Sequence, residues 1–380
     1  MSAGDSEIKH TARSTTASRS TAAGWKFAVR ALQSKNYRLF FGGQSISLIG
    51  TWMTRIATSW LVYRLTGSAL LLGVIGFAGQ IPSFLLGPFA GAWVDRMNRH
   101  NTLVVTQILS VIQSLALAVL ALGHWITIHE IVWLSVMQGL INAFDMPARQ
   151  SFVIQMVEDR SDLSNAIALN SSMVNAARLI GPSLAGVVIA AVGEGYCFLV
   201  DAISYIAVIV SLLMMVLGKE VRPVSKAGLW DDIKEGWDYT VGFVPIRSIL
   251  LLLALISLVG MPYTVLMPVF AGEILHGGPH TLGFLMGASG VGALFGAASL
   301  AARRTVLGLG RVISISAALF GVSLIGFGMS RALLLSLFLL VIVGGAMMEQ
   351  MAASNTVLQT IVEEDKRGRV MSFYSMAFMG

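Results

Sequence analysis

The sequence predicts an all-α polytopic membrane protein, and three observations carry that expectation. Of 380 residues, 55% are hydrophobic and only 12% are charged, and the mean hydropathy is +0.75. Soluble domains carry about 25% charged residues, so too little charge is present to solvate a globular surface. Apolar runs long enough to cross ~30 Å of hydrocarbon as helices of about 20 residues recur along most of the chain. Lysine and arginine gather in every second loop between those runs, as the positive-inside rule requires.

Residues 1–35 are rich in Ser, Thr, Ala and Arg, with Asp5 and Glu7 as their only acids. This composition overlaps that of an organellar transit peptide. No long amphipathic stretch starts before Trp25, however, so a disordered cytoplasmic tail is the reading. Trp25, Phe27 and Leu32 suggest a short interfacial segment ahead of the first span. Spans follow at 37–63, 69–94, 101–123, 128–148, 168–192 and 196–217, an amino-terminal set over 36–217. The runs are helix-length and lack the short alternating pattern of barrel strands.

The central loop, 218–246, is the longest internal one. In it Trp230, Ile233, Trp237 and Val241 share a helical face, with Asp231, Asp232, Lys234, Glu235 and Asp238 elsewhere on the wheel. This predicts an amphipathic helix in the cytoplasmic interface, with a partner-binding helix as the alternative. The second set, 247–380, holds spans at 247–272, 281–302, 311–329 and 331–353, and an eleventh starts near Arg369. From there to Gly380 a helix rises ~16 Å, about half a bilayer. The second set is therefore expected to be incomplete, truncated within helix 11, and transport to need the rest of that helix and one more.

Charge placement predicts a cytoplasmic N-terminus. The inside segments hold Lys35, Arg38, Arg96, Arg99, Arg149, Arg160, Lys219, Arg222, Lys226, Arg247, Arg303, Arg304, Arg311, Lys366, Arg367 and Arg369, against Arg64 and Arg331 outside. The net charge of +6 does not imply nucleic acid, because no basic face is interleaved with aromatics outside the spans. A single cysteine, Cys197, excludes an intramolecular disulfide. The chain has no phosphate-binding G-x-x-x-x-G-K-[ST], no H-E-x-x-H and no G-x-S-x-G. Neither an enzyme nor a cofactor or metal site is expected.

The two sets look related. Gly139 through Val157-Glu158 resembles Gly344 through Val362-Glu363 at constant offset, and Leu72-Gly73 resembles Leu282-Gly283. Parallel repeats of this kind place a substrate between the halves of many transporters. Gly292-x-x-x-Gly296 reads as helix packing rather than as a nucleotide loop.

One turn is unusually specific: Gly91-Ala92-Trp93-Val94-Asp95-Arg96-Met97-Asn98-Arg99-His100. Arg96 and Arg99 suit an anionic inner leaflet, whereas Asp95 needs hydrogen-bond donors there. The spacing resembles the signature between helices 2 and 3 of the major facilitator superfamily, with Asn98 where that pattern usually has Gly and His100 at a usually basic position. In helix 5, Ala177-Arg178-Leu179-Ile180-Gly181-Pro182-Ser183-Leu184-Ala185-Gly186 resembles the antiporter pattern of exporters in that superfamily, with Ala177 and Ala185 replacing glycines. In helix 4, Gln138-Gly139 fits the family pattern, but Ser135 stands where proton-coupled members have arginine. Further segments, among them Asn36-Tyr37-Arg38-Leu39-Phe40 and Asp145-Met146-Pro147-Ala148-Arg149-Gln150, are similar to a bacterial branch of enterobactin-exporter-like and macrolide-efflux-like transmembrane secretion effectors.

The resemblance implies two six-helix halves, alternating access and secondary export of an amphipathic small molecule of the drug, macrolide or siderophore class. It further implies a monomer in the bacterial inner membrane, with protons and the lipid bilayer as its other partners. An uncoupled facilitator or lipid-type transporter, and a receptor or scaffold that moves nothing, stay as alternatives. Intramembrane charges are the default functional candidates, since each costs at least ~2.5 kcal/mol at mid-bilayer. They are Arg55, Arg178, Asp201 and Glu349, with Asp145 and Arg149 near the inner end of helix 4. Arg55 and Asp201 lie at similar depth, so a structural ion pair and a transport role are both open. Glu349, if it faces the cavity, is the leading proton carrier. Gly91, Asp95, Arg96 and Arg99 are the expected gate, with Arg178, Gly181, Pro182 and Gly186 as the helix 5 exporter element.

Overall fold

The computed structural model describes residues 30–94, 97–157, 162–216, 237–301, 303, 307–363, 366, 370, 371, 373, 374, 376 and 377. Ten long helices follow one another: α1 Lys35–Thr66, α2 Ala69–Val94, α3 Arg99–Leu122, α4 Ile128–Met156, α5 Leu163–Val192, α6 Glu194–Leu213, α7 Val244–Ile274, α8 Pro279–Ala301, α9 Leu309–Met329 and α10 Leu333–Ile361. Residues 370, 371, 373, 374, 376 and 377 are helical too, where the eleventh span was expected to begin. Below, the end of the molecule where α1 starts is called proximal and the opposite end distal.

Among the described residues, eight helices are long and apolar enough to cross a membrane, and α1 and α4 are not among them. Both carry charge in their interiors, Arg55 in α1 and Asp145 and Arg149 in α4. They tolerate it because they are packed by protein: α1 touches α2, α4, α5, α6 and α7, and α4 touches α1, α2, α3 and α5. The lipid-facing role falls to helices such as α9, whose Ile315, Leu319, Val322, Ile325 and Met329 form one exposed stripe.

Three boundaries differ from expectation. α4 continues past Pro147 to Met156 rather than ending at 148. A proline removes one backbone donor and bends the helix, but protein neighbours let it continue. α5 starts at Leu163, earlier than 168, and Asn165 accepts a hydrogen bond from the Ala31 backbone N–H (2.9 Å). α10 extends to Ile361 instead of 353. Trp230 and Ile233 of the expected interfacial helix lie outside the described residues. Its last part, 237–242, is helical, with an exposed Trp237 set edge-on to Phe373 at 5.9 Å.

The internal repeat has a physical counterpart. A side chain on Gly139 would strike the carbonyl oxygen of Gly79 in α2, and one on Gly344 would strike that of Ser289 in α8. These glycines let α4 pack on α2 and α10 on α8. On α4 Asp145 pairs with Arg149; 205 residues on (350 − 145), Gln350 of α10 donates to Ser354 at 3.2 Å. Likewise Thr106 of α3 donates to Asp145, and Ser316 of α9 donates to Glu349.

The buried core is divided by depth. At the distal end one cluster joins Met53, Trp60, Leu72, Leu117 and Phe198 of the first set to Tyr263, Met267, Leu285, Phe327 and Leu340 of the second. At the proximal end the cores are separate. One contains Tyr37, Phe40, Val94, Phe152 and Leu212; two others draw only on the second set, around Ile246 and Leu358 and around Leu309 and Ile313.

The distal join depends on α5 and α8. A Cβ on Gly186 would lie 2.9 Å from the Gly283 Cα and 2.9 Å from the Pro279 carbonyl oxygen, and one on Gly283 would lie 3.0 Å from that of Pro182. Leu179 and Ser183 continue the contact against Gly290 and Gly287. Gly292 and Gly296 turn instead to Val341 and Gly345 of α10, the packing role expected for them. Overpacking costs about 1–3 kcal/mol. Gly283→Val should therefore lower thermal stability in detergent by about that much, whereas Gly321→Ala, with open space around it, should leave it unchanged. Equal effects would show that the close approach is not needed.

Candidate functional site

The middle of α1 meets the middle of α5 at Trp52. A side chain on Gly181 would collide with the Trp52 Cβ and approach the Ile49 carbonyl oxygen, so the glycine of the exporter pattern is what brings α5 onto this indole. Arg178 lies one turn earlier, with its guanidinium carbon 5.5 Å from the Trp52 ring centroid, and that of Arg55 is at 5.3 Å. Two cations thus share one aromatic ring, a favourable arrangement for each singly. Arg55 is exposed although α1 is surrounded by five helices.

Of the two readings open for Arg55 and Asp201, the ion pair is not formed. Asp201 lies in the α1–α3–α6 junction, 1% exposed, where it accepts a hydrogen bond from Ser114 Oγ (2.8 Å) and packs against Gly50. Arg55 is five residues beyond Gly50, about 140° around the helix, so it points toward α5 instead. One turn along α6, the Tyr205 hydroxyl shares a hydrogen bond with Thr51 Oγ1 (3.2 Å).

Asp145 is buried and fully engaged. One carboxylate oxygen accepts from Thr106 Oγ1 (2.9 Å) and Gln107 Nε2 (2.8 Å), and the other pairs with Arg149 on its own helix. Glu349 is half-buried. Its carboxylate turns to Ser299 of α8 (3.0 Å) and Ser316 of α9 (3.2 Å), at the α8–α9–α10 junction, rather than toward α1 or α5. No cation pairs with Glu349 or Asp201 among the described residues.

Of the expected gate, Gly91 lies in the last turns of α2 and Arg99 opens α3, while Asp95 and Arg96 lie outside the described residues, as do Arg367 and Arg369. The two departures from the family pattern have local roles. Asn98 caps α3 by accepting from the Asn101 N–H (3.1 Å), a favourable cap. His100 Nε2 is 2.9 Å from the Leu212 carbonyl oxygen and holds the end of α6. At the distal end Arg64 makes a two-pronged contact with the buried Glu194 (2.8 and 3.2 Å).

Trp52, Thr106, Gln107, Ser114 and Glu194 were not foreseen as site residues. A signal existed for α3, where Thr102, Thr106, Ser110, Gln113 and Ser114 recur at helical spacing and are all buried. Removing one partner of a buried pair strands the other charge and costs about 3–5 kcal/mol. Asp145→Asn should thus lower thermal stability by about 3 kcal/mol, and adding Arg149→Gln should recover part of it. Equal loss in the single and double variants would mean that the pair is not coupled.

The family model described as transmembrane secretion effector matches residues 27–380. The staphyloferrin A transporter of Staphylococcus aureus is 26% identical over 342 residues, 89% of this chain and 85% of the relative. The multidrug efflux pump Tap of Mycolicibacterium fortuitum is 28% identical over 334 residues, 85% of this chain and 80% of the relative. Among solved structures, a bacterial homologue of the iron transporter ferroportin in an inward-facing state aligns with TM-score 0.67 at 15% identity, over 90% of this chain and 88% of the other. The chain belongs to the transmembrane secretion effector family of major facilitator transporters, with the fold of transporters rather than of enzymes.

Proposed function

We propose that this transporter exports an amphipathic small molecule across the bacterial inner membrane by alternating access, as a monomer and in exchange for protons. The division of the core carries the reading. One core spans both helix sets distally, while proximally each set has its own. If the N-terminus is cytoplasmic, as lysine and arginine placement favours, this is a state sealed outside and parted inside. Relatives that carry a siderophore, drugs or macrolides support export and a substrate of moderate size.

For proton exchange, an acid is needed that no cation neutralises. Asp145 is ruled out as the first choice by Arg149. Asp201 and Glu349 have no such partner among the described residues, and they are the acids proposed for the step. Ser135, where proton-coupled relatives have arginine, supports a second reading, uncoupled movement of the same substrate.

The test uses everted membrane vesicles with an acidic interior, to which siderophores, macrolides and lipophilic cations are added in turn. Coupled export should show as loss of the pH gradient with one compound class, reduced at least tenfold in Glu349→Gln or Asp201→Asn. Uptake of a compound without gradient loss would establish the uncoupled reading. No movement of any compound by correctly inserted protein would support a receptor or scaffold.

A further inference from the structure

We propose that Arg55, Trp52 and Arg178 form a binding site for carboxylate, which makes the exported molecule an amphipathic organic anion. The inference rests on the export reading and adds the chemical class of the substrate. Among the described residues, Arg30, Arg64 and Arg149 each pair with an acid. Arg55 and Arg178 pair with none and make no side-chain hydrogen bond; their common contact is the Trp52 ring. They also lie close enough to act on each other electrostatically, and like charges repel strongly where water is scarce.

A pair of unneutralised guanidinium groups near the middle of two helices is costly, and a bound anion removes the cost. Each guanidinium presents a planar fork of donors that matches a carboxylate two-pronged. The Trp52 ring between them offers an apolar surface for the rest of the molecule. Gly181 brings α5 against the Trp52 Cβ, so both arginines reach the same indole. Tyr263, from the second helix set, opens the segment of α7 that packs on α1, shares a core with Met53 and is hydrogen-bonded to Ser289 (3.1 Å). The site therefore borders both halves, where occupancy can sense their separation. A lipophilic cation would be repelled from it.

The probe is naphthalenedicarboxylate, compared with its neutral dimethyl ester by equilibrium dialysis against the full chain in lipid nanodiscs. The dianion should bind and the ester should not. Arg55→Gln and Arg178→Gln should each weaken binding at least tenfold, and Arg178→Lys should retain part of it. Because neither arginine has an acid to strand, relief of their mutual repulsion should offset the lost contact with Trp52, and the glutamine variants should keep or raise the thermal midpoint. Unchanged binding in the double variant, or equal binding of dianion and ester, would overturn the site. A lowered midpoint in both single variants would overturn it too, by showing a structural role. If the dianion fails to bind while vesicles still export a lipophilic cation, the export reading stands and the carboxylate site falls. If it binds through these arginines and no compound is exported, the site stands and the export reading falls.

Discussion

The backbone contact between α5 and α8 is the constraint on which the rest of the molecule depends. Gly186 and Gly283 bring the two helices so close that a Cβ at Gly186 would clash and one at Gly283 would force its neighbours to shift, and small residues extend the approach toward mid-depth. In a bilayer, helix association draws on close packing rather than on a hydrophobic difference between protein and lipid tails. A contact of this kind therefore joins the helix sets without any polar bond. With that join at the distal end, the large side chains around it condense into one shared core, and the proximal cores can stay apart.

The same contact arranges the chemistry. Pro182 and Gly186 face α8, and Gly181, next to Pro182, faces α1 and receives Trp52. A single segment of α5 thus carries both the seal and the approach of Arg178 to the Trp52 ring. Acids are treated differently from these arginines. Asp145, Asp201 and Glu349 sit in junctions between helices and accept from Thr106, Gln107, Ser114, Ser299 and Ser316, as buried carboxylates require. These acids are held inside their helix sets, whereas Arg55 and Arg178 meet at Trp52, where α1 and α5 approach.

Much of this was legible in the residues. Helix-length apolar runs located all ten long helices, and the faint offset between Gly139 and Gly344 marked two contacts that are alike in the structure. The pattern at Gly181-Pro182 flagged the segment that joins the sets. What could not be read was rotation about each helix. Arg55 and Asp201 share a depth, but an angle of about 140° separates the faces of α1 that they meet. Glu349 is one residue from the fully buried Gln350, and no composition signal says that it turns toward α9. Pro147 looked like a helix end because its local effect is known, while the neighbours that sustain α4 beyond it are distant in sequence. Trp52 carried no signal of its own, and its meaning came from Arg178, more than a hundred residues away.

The most direct measurement compares two distances by spin labelling, one across each end of the molecule. Labels at Leu70 and His280 report the distal ends of α2 and α8, and labels at Gln150 and Gln359 report the proximal ends of α4 and α10; all four residues are exposed. On adding a transported compound, the account predicts that the distal distance lengthens as the proximal one shortens. Two distances that stay fixed, or that change in the same direction, would contradict it.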